Sequence, residues 1–235
     1  VRVNVEGTRN VMEMALGCTN IEKIAMISTL YVSGKRTGLI KEEIVEHDKG
    51  WVNEYERSKY ESELVVRSYQ DRLPIQTMRL GLVVGNSKTG EVTQMNSIHK
   101  SLRMIYGGLA PVLPYKRGAK LDLVADDFVT DSLFYLFEKK FQSGAVYQLS
   151  SDEKTAPTIE EFIDMTFELF AKLNPDWVKR GIKKPIRIPL WVLYLGVHFF
   201  RVTKNLIMTQ ATNATKLFIP HITYAKVFDM TKTNE

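Results

Sequence analysis

Ile24-Ala25-Met26-Ile27-Ser28, followed at once by Thr29, is the stretch of sequence that decides the fold. A short and continuously apolar run of this kind is typical of a strand buried on both faces of a parallel sheet. Similar runs at 74–83, 121–124 and 144–150 predict three further strands. Helical patterns lie before, between and after them, at 1–17, 54–71, 94–106 and 127–139. Alternating strands and helices indicate an α/β fold with a parallel sheet.

Helix start signals refine this outline. Asp126 or Asp127 is a candidate N-cap of the helix at 127–139, and Thr158 with Glu161 three residues later has capping-box spacing. The last 80 or so residues contain more Pro and Trp and a basic cluster, which favours a separate subdomain. We therefore expect a main domain over residues 1–150, with 85–120 contributing to the substrate side, and a helical cap over 151–235.

Composition excludes several classes of protein. The chain has 235 residues and a mass of 27.0 kDa, with 44% apolar and 25% charged residues, which is ordinary for a globular protein. The single Cys18 excludes a disulfide scaffold, and the four histidines show no metal-ligand spacing, so we expect no metal. The net charge of +5 suits an anionic ligand such as a nucleotide but does not indicate nucleic acid, which we do not expect as a partner.

One helix of the predicted fold carries a reactive pair of side chains. Tyr55 and Lys59 are four residues apart and therefore lie on one helix face. An ammonium near a phenol lowers the pKa of the phenol, so that the tyrosine exchanges a proton near neutral pH. The same spacing occurs in two other pairs, Tyr31 with Lys35 and Tyr135 with Lys139.

The neighbouring segments select Tyr55 from these three pairs. The hydroxyl of Thr29 follows a buried strand, and the glycine-bearing stretch Arg79–Gly85 leaves the next strand. Open α/β sheets bind their ligands where the carboxyl ends of the strands meet. A hydroxyl, a Tyr–Lys helix and a glycine loop therefore converge on one crevice, and Tyr31 and Tyr135 have no such neighbours along the chain.

At this point the chain resembles the extended short-chain dehydrogenase/reductases. The matching segments occur in the family's order, at Asn4–Asn10, Ser28–Gly34, Tyr55–Lys59 with Glu63, Arg79–Gly85 and Asp122–Val129. Within that family, 84–91 and 122–129 are most similar to the branch of thioester reductase domains and fatty acyl-CoA reductases. The resemblance implies a Rossmann-like, doubly wound parallel sheet with a small, mostly helical C-terminal cap.

The resemblance also implies roles for particular residues. Thr29 would hydrogen-bond the carbonyl oxygen of the substrate, Tyr55 would protonate that oxygen, and Lys59 would hold the nicotinamide ribose. Asn4, Ser28 and the backbone of Leu80, Gly81, Leu82 and Val83 would lie at the cofactor, as would Tyr55 and Lys59. One departure from the family is Leu80, where many relatives have Pro.

A larger departure concerns the cofactor's phosphates. The family begins with a strand, a glycine-rich turn and a helix that binds the pyrophosphate, and no G-x-G-x-x-G or G-x-x-G-x-x-G occurs in this sequence. The chain also opens within a predicted helix. We therefore expect the C-terminal part of a longer enzyme, with an incomplete sheet and weak dinucleotide binding by this chain alone.

The function that these observations favour is NAD(P)H-dependent reduction of a carbonyl, an acyl thioester going to an aldehyde or alcohol. The resemblance favours NADPH over NADH. A sugar-nucleotide epimerase or dehydratase is one alternative, although Leu30 and Tyr31 stand where dehydratases carry an Asp–Glu pair. A non-catalytic fragment without the phosphate-binding loop is the other.

A segment of the predicted cap could contact a membrane. Residues 188–200 form an uncharged apolar run between basic clusters, too short to span a bilayer. Such a helix is typical of an anionic membrane surface, of a lid over an apolar substrate, or of packing on the main domain. Because the N-terminus lacks the pattern of a signal peptide, we expect a cytoplasmic protein, with 188–200 as the candidate for peripheral membrane contact.

Overall fold

The computed structural model describes residues 2–44, 48–151, 153–154, 156–202 and 223–235. These residues group into two compact units. The first unit comprises residues 1–91, 122–155 and 226–235, and the second comprises residues 92–121 and 156–225.

The elements are numbered along the described residues. In chain order they are α1 (Arg2–Leu16), β1 (Ile24–Thr29), a 3-10 helix (Leu30–Ser33), β2 (Gly38–Ile40), α2 (Glu54–Arg67), β3 (Ile75–Leu80), β4 (Leu82–Val83), α3 (Ser97–Tyr106), β5 (Val112–Leu113), β6 (Leu123–Val124), α4 (Asp126–Glu138), β7 (Val146–Leu149), α5 (Ile159–Leu173), α6 (Pro175–Lys179), β8 (Ile186–Arg187), α7 (Leu190–Val202), β9 (Lys226–Phe228) and α8 (Thr231–Asn234).

Three parallel strands form the main sheet of the first unit, in the order β1-β3-β7. Thr29 lies opposite Leu80, and Leu80 lies opposite Leu149. The carboxyl ends of all three strands are therefore level with one another. In α/β sheets this edge is the one that binds ligands.

Helices pack on both faces of this sheet, because side chains alternate between the faces along each strand. Ile75 of β3 packs with Met12 of α1 and Val66 of α2. Met78 of the same strand packs with Leu136 of α4. A parallel sheet covered on both faces by helices confirms the predicted Rossmann-like α/β class.

Helix caps follow the predictions in one case and depart from them in another. Thr158 caps α5, and Glu161 completes the predicted capping box. The expected Asp cap of α4 is wrong, because α4 begins after Ala125 without a side-chain cap. Asp127 instead accepts hydrogen bonds from the backbone N–H of Ser87 at 3.0 Å and from its hydroxyl at 2.7 Å. The carboxylate thus holds the loop after β4.

The C-terminal residues differ from the predicted division at residue 150. Residues 226–235 belong to the first unit, where β9 pairs in parallel with β2. Gly38 lies opposite Lys226, and Ile40 opposite Phe228. A strand of three residues is too short to show a periodic pattern. The sequence therefore does not predict that β9 pairs with β2 and belongs to the first unit.

The second unit is built around aromatic side chains. Tyr106 stacks on Trp177 with ring centroids 5.8 Å apart, and the indole N–H of Trp177 donates to the Tyr106 carbonyl at 2.7 Å. Phe167 and Phe170 meet the Trp177 ring at steep angles. None of the helices among the described residues combines the length and the apolar character needed to cross a membrane.

Candidate active site

Thr29 stands at the carboxyl end of β1, where the chain turns into the 3-10 helix. It is the N-cap of that helix, with extended backbone angles, and its Oγ1 accepts the N–H of Tyr31 at 3.4 Å. The Thr29 hydroxyl also lies 3.5 Å from the Leu80 carbonyl of the neighbouring strand. The side chain is 5% exposed, so its position is fixed by these two strand ends.

Tyr55 reaches Thr29 from the first turn of α2. That helix begins at Asn53, whose side chain accepts the N–H of Glu56 at 2.9 Å. The hydroxyl of Thr29 lies close enough to the phenol of Tyr55 to lower the pKa of that phenol as a hydrogen-bond partner, while Tyr55 as a whole remains 54% exposed. A phenol and an alcohol therefore lie together at this edge of the sheet.

Lys59 lies one helical turn after Tyr55. Its ammonium donates to the Ile27 carbonyl of β1 at 2.9 Å, and the side chain is half-buried. An ammonium has three donors, and this bond uses one of them. Lys59 can therefore offer donors to a ligand while it stays fixed to the strand.

The pKa of Tyr55 is raised above its usual value. Burial is the main cause, the charge of Glu56 adds to it, and the hydrogen bond to Thr29 opposes it. Burial also lowers the pKa of Lys59, against the attraction of Glu63. The predicted lowering of the Tyr55 pKa is wrong, because burial of the phenol outweighs stabilisation of its anion. Tyr55 therefore carries its proton at neutral pH.

Asn4 connects α1 to the start of α2. Its side-chain amide donates to the Ser58 hydroxyl at 2.8 Å, and that hydroxyl donates to the Tyr55 carbonyl at 2.9 Å. Ser58 is almost fully buried. Asn4 thus supports the turn that carries Tyr55 and Lys59.

A buried ion pair fixes the far half of α2. The Arg79 guanidinium binds both carboxylate oxygens of Glu63, at 3.0 and 2.7 Å, and also donates to the Glu43 carbonyl at 2.9 Å. Arg79 is 0% exposed. Because Arg79 belongs to β3, this pair holds α2 against the strand whose end lies beside Thr29.

The predicted cofactor loop Leu80–Val83 is held through its backbone. Gly81 donates to the Leu149 carbonyl at 2.8 Å, and Leu82 donates to the Asp122 carbonyl at 2.9 Å. A Cβ on Gly81 would lie 2.7 Å from both carboxylate oxygens of Asp122, so any other residue there would displace the carboxylate from its bonds to Ser150 and Ser151. Val83 pairs with Val124 of β6. Ser28, also predicted at the cofactor, is 4% exposed, and its hydroxyl has no partner among the described residues.

Sequence reasoning missed a group of charged and aromatic side chains behind the Thr29–Tyr55 pair. Burial raises the pKa of Tyr31 well above its usual value, with Asp122, Glu56 and Tyr55 adding to the effect. Lys226 of β9 interacts electrostatically with both Glu56 and Asp122. Two of these residues have a signal in the sequence that could have indicated their place at the site: Glu56 follows Tyr55 directly, and Asp122 opens a segment that resembles the family. No sequence signal indicates that Lys226 lies there.

The sequence model of the NAD-binding family described as male sterility protein matches residues 1–133. No curated protein has a sequence that matches this chain. Among solved structures, the terminal R domain of the myxalamid PKS-NRPS biosynthetic pathway is similar over 99% of this chain and 57% of its own, with 22% identity and a TM-score of 0.72.

Two sugar-nucleotide enzymes are also similar. UDP-glucuronic acid 4-epimerase from Bacillus cereus, in complex with NAD, has 16% identity and a TM-score of 0.62 over 98% of this chain and 59% of its own. dTDP-glucose 4,6-dehydratase from Bacillus anthracis, in complex with NAD, has 22% identity and a TM-score of 0.54 over 74% of this chain and 54% of its own.

At these identities the likeness shows the fold. The chain spans less than two thirds of the length of each of these three structures. The family match covers more than half of the chain. It confirms the resemblance that the Thr29, Tyr55–Lys59 and Arg79–Gly85 segments indicated. The chain belongs to the male sterility protein family, an NAD-binding branch of the extended short-chain dehydrogenase/reductases.

Proposed function

We propose that this chain carries the catalytic residues of an NAD(P)H-dependent reductase that converts an acyl thioester to an aldehyde or alcohol. The observation that carries the proposal is the contact between the Thr29 hydroxyl and the Tyr55 phenol, with Lys59 one turn away. This contact lies at the carboxyl ends of β1 and β3, the edge of the sheet at which α/β folds bind ligands.

The chemistry of the three residues follows from their protonation and position. A nicotinamide cofactor, when bound, supplies the hydride. Thr29 and Tyr55 donate hydrogen bonds to the carbonyl oxygen, which holds it where negative charge develops. Because the pKa of Tyr55 is raised, the phenol stays protonated and can give its proton to that oxygen. Lys59 keeps donors for the ribose hydroxyls.

The residues present fit the nicotinamide end of a dinucleotide. The Ser28 hydroxyl is a buried polar atom without a partner among the described residues, and a ligand at the strand ends could supply one. Lys59 supplies a cation, and Asn4 supports the helix turn that presents it. Leu80–Val83 would line the nicotinamide. The preference for NADPH rests on the similarity to the thioester reductase branch.

The residues after Thr29 argue against a sugar-nucleotide dehydratase. Leu30 has no ionisable group and Tyr31 is only 8% exposed, so neither supplies the acid and base that dehydratases carry at these positions. An epimerase remains the second candidate, since two sugar-nucleotide enzymes share the fold. The similarity to a terminal R domain supports the reductase.

Cofactor binding separates the enzyme from a non-catalytic fragment. NADPH and NADH are titrated calorimetrically into this chain and into the longest protein that its gene encodes. Oxidation of NADPH is then followed with octanoyl-CoA or palmitoyl-CoA, and UDP-glucuronic acid is incubated with the protein and NAD⁺ and analysed for its 4-epimer, because epimerisation consumes no cofactor. We expect oxidation with the acyl-CoAs and no epimer. Turnover of only the sugar nucleotide supports the epimerase, and failure of the longest protein to bind either cofactor supports the fragment.

Replacement of Tyr55 by Phe tests the assigned proton donor. We expect Tyr55→Phe to lower kcat by two or more orders of magnitude, at about the size of a lost general acid, while affinity for NADPH is unchanged. Tyr135→Phe is the matched control, because Tyr135 is exposed on α4 and also precedes a lysine by four residues. Near-normal turnover of Tyr55→Phe would remove Tyr55 from the mechanism.

We also propose peripheral membrane contact through the second unit. On α7 the side chains of Trp191, Tyr194 and Leu195 are more than half exposed on one face, and the exposed Lys183 and Arg187 precede them. Aromatic and basic side chains of this kind favour an anionic membrane surface. Sedimentation with phosphatidylserine vesicles should retain the protein, and neutral phosphatidylcholine vesicles should not. Unchanged binding by Trp191→Ser with Tyr194→Ser would contradict the assignment of this face.

A further inference from the structure

Lys226 is a lysine that the C-terminal strand brings back to the candidate active site. It opens β9 and lies opposite Gly38 of β2, so the parallel pairing of these strands fixes its backbone. The residue is only 9% exposed. Lysine is rarely buried without a partner, since removing an ammonium from water is costly.

The ammonium of Lys226 has specific neighbours on the 3-10 helix. It donates a hydrogen bond to the carbonyl of Gly34, the C-cap of that helix, and stands 5.8 Å from the centre of the Tyr31 ring. Thr29 is the N-cap of the same helix. Lys226 therefore holds one end of a four-residue helix whose other end presents the Thr29 hydroxyl.

Two carboxylates supply the opposite charge. Glu56 is 1% exposed and accepts the Val52 N–H at 3.0 Å. Asp122 has one buried carboxylate oxygen without a partner among the described residues. Both attract the Lys226 ammonium, although neither is paired with it directly. Glu56 adjoins Tyr55 on α2, so the charge of Lys226 is balanced next to both members of the Thr29–Tyr55 pair.

We propose that Lys226 is a positioning residue. Its ammonium binds the Gly34 carbonyl at the end of the 3-10 helix and balances the negative charge of Glu56, and in this way it keeps the Thr29 hydroxyl next to the Tyr55 phenol. It contacts neither substrate nor cofactor in this proposal. The consequence for turnover rests on the proposed function, whereas the effect on the Thr29–Tyr55 contact does not.

The first test reads that contact without any substrate. NMR of ring-labelled tyrosine, with Tyr55→Phe to assign the signal, follows the Tyr55 phenol during a pH titration. Burial lowers the pKa of Lys226 to about 8, so its side chain is already neutral when the Tyr55 phenol titrates, and the effect on Tyr55 comes through Thr29 alone. Lys226→Met should raise the pKa of Tyr55 by about half a unit or more, because the 3-10 helix loses its bond at Gly34 and the hydrogen bond from Thr29 weakens. Lys226→Arg should restore most of the wild-type value.

Lys232→Met is the matched control. Lys232 lies in the same C-terminal segment and donates to the Glu42 carbonyl at 2.7 Å, away from the 3-10 helix. It should leave the pKa of Tyr55 unchanged. An equal shift in Lys232→Met, or no shift in a folded Lys226→Met, would overturn the proposal.

The second test measures turnover in the longest protein that the gene encodes. Lys226→Met should lower kcat with an acyl-CoA about tenfold or more, with the KM for NADPH within about twofold, because a misplaced hydroxyl affects the transition state rather than binding. If the wild-type protein shows no turnover, the proposed function fails, while the titration still decides the role of Lys226.

A double variant covers the case in which Lys226→Met does not fold. Glu56→Gln combined with Lys226→Met removes a buried negative charge together with the buried positive one, which lessens the cost of the unpaired carboxylate. Because the bond to Gly34 is still missing, kcat should stay about tenfold low. Full wild-type turnover in the double variant would exclude the positioning role.

Discussion

The Asp122 carboxylate shows how one residue can place a functional loop at a cost in stability. Its Oδ1 accepts the Ser150 hydroxyl at 2.6 Å, and both oxygens fill the space that a side chain at Gly81 would occupy. Although the residue as a whole is only half-buried, Oδ2 is shielded from solvent. Burial raises the pKa of Asp122 to about 6, and the bonds from Ser150 and Ser151 and the charge of Lys226 oppose that rise.

Asp122 should make the protein less stable as the pH rises. Its folded pKa of about 6 lies above the unfolded value near 3.9, so the folded state holds the proton more tightly. Ionisation between about pH 4 and pH 6 therefore costs folding up to about 3 kcal/mol. Asp122→Asn should recover about 1–3 kcal/mol at about pH 8 and little at about pH 4, measured by urea unfolding. A gain that is equal at both pH values would contradict this account.

At the scale of elements, α2 is the helix that carries the candidate site, and its two halves are held differently. The first turn is supported by the Asn53 cap and by the bond from Asn4 to Ser58. The second half is held by the buried pair of Arg79 and Glu63. Because Tyr55 and Lys59 point from this helix toward β1, any rotation of α2 would separate Tyr55 from Thr29.

The two Arg–Glu pairs of α2 provide a matched comparison. Arg79→Met leaves the Glu63 carboxylate buried without its partner and should lower the free energy of unfolding by about 3–5 kcal/mol. Arg57→Met breaks an exposed pair with Glu61 at 2.8 Å and should cost less than about 1 kcal/mol. Chemical denaturation of both variants measures the difference. Similar losses in the two variants would show that burial does not decide the strength of these pairs.

At the scale of the whole molecule, the C-terminal ten residues return to the first unit and are held there by Glu42. This carboxylate is 2% exposed and accepts the backbone N–H of Gln148 at 3.0 Å and of Thr233 at 3.3 Å. The hydroxyl of Thr233 binds the same carboxylate. Gln148 in turn donates to the Asp229 carbonyl at 2.9 Å. Three distant parts of the chain thus meet at one side chain.

Glu42→Gln should loosen the C-terminal segment without unfolding the sheet. Both carboxylate oxygens of Glu42 accept hydrogen bonds, whereas a glutamine keeps only one of these oxygens and has an NH₂ group in place of the other. That NH₂ group faces N–H donors and cannot accept from them, so residues 229–235 lose part of their hydrogen bonding. Hydrogen exchange should quicken there at least about tenfold, while exchange in β3 stays slow. Glu43→Gln is the control, because Glu43 is the exposed neighbour. Equal protection of 229–235 in Glu42→Gln and wild type would contradict the role of Glu42.

Sequence patterns predicted the elements that are marked by a few neighbouring residues. They did not predict which charged side chains the fold buries. The apolar run at Ile24, the Tyr55–Lys59 spacing and the Thr158 capping box each predicted what the backbone does. Glu42 belongs to an acidic stretch with Glu43, Glu46 and Asp48, a pattern that predicts a solvated surface, yet Glu42 is buried. Tyr31 has no reactive neighbours along the chain, although in the fold it lies close enough to Tyr55 for the two to interact electrostatically.

The sequence by itself determined the parallel α/β class, because that class follows from periodicity over short stretches, and its motifs determined the family through their resemblance to known members. It also placed Tyr55 and Lys59 one turn apart on one helix, because their spacing is fixed. Only the tertiary structure decided that Tyr55 keeps its proton, that Asp122 lies against Gly81, and that Lys226 returns from the C-terminus to stand behind Thr29. Burial and electrostatic interaction depend on which residues meet in space, and residues far apart in the chain meet only when the fold is complete.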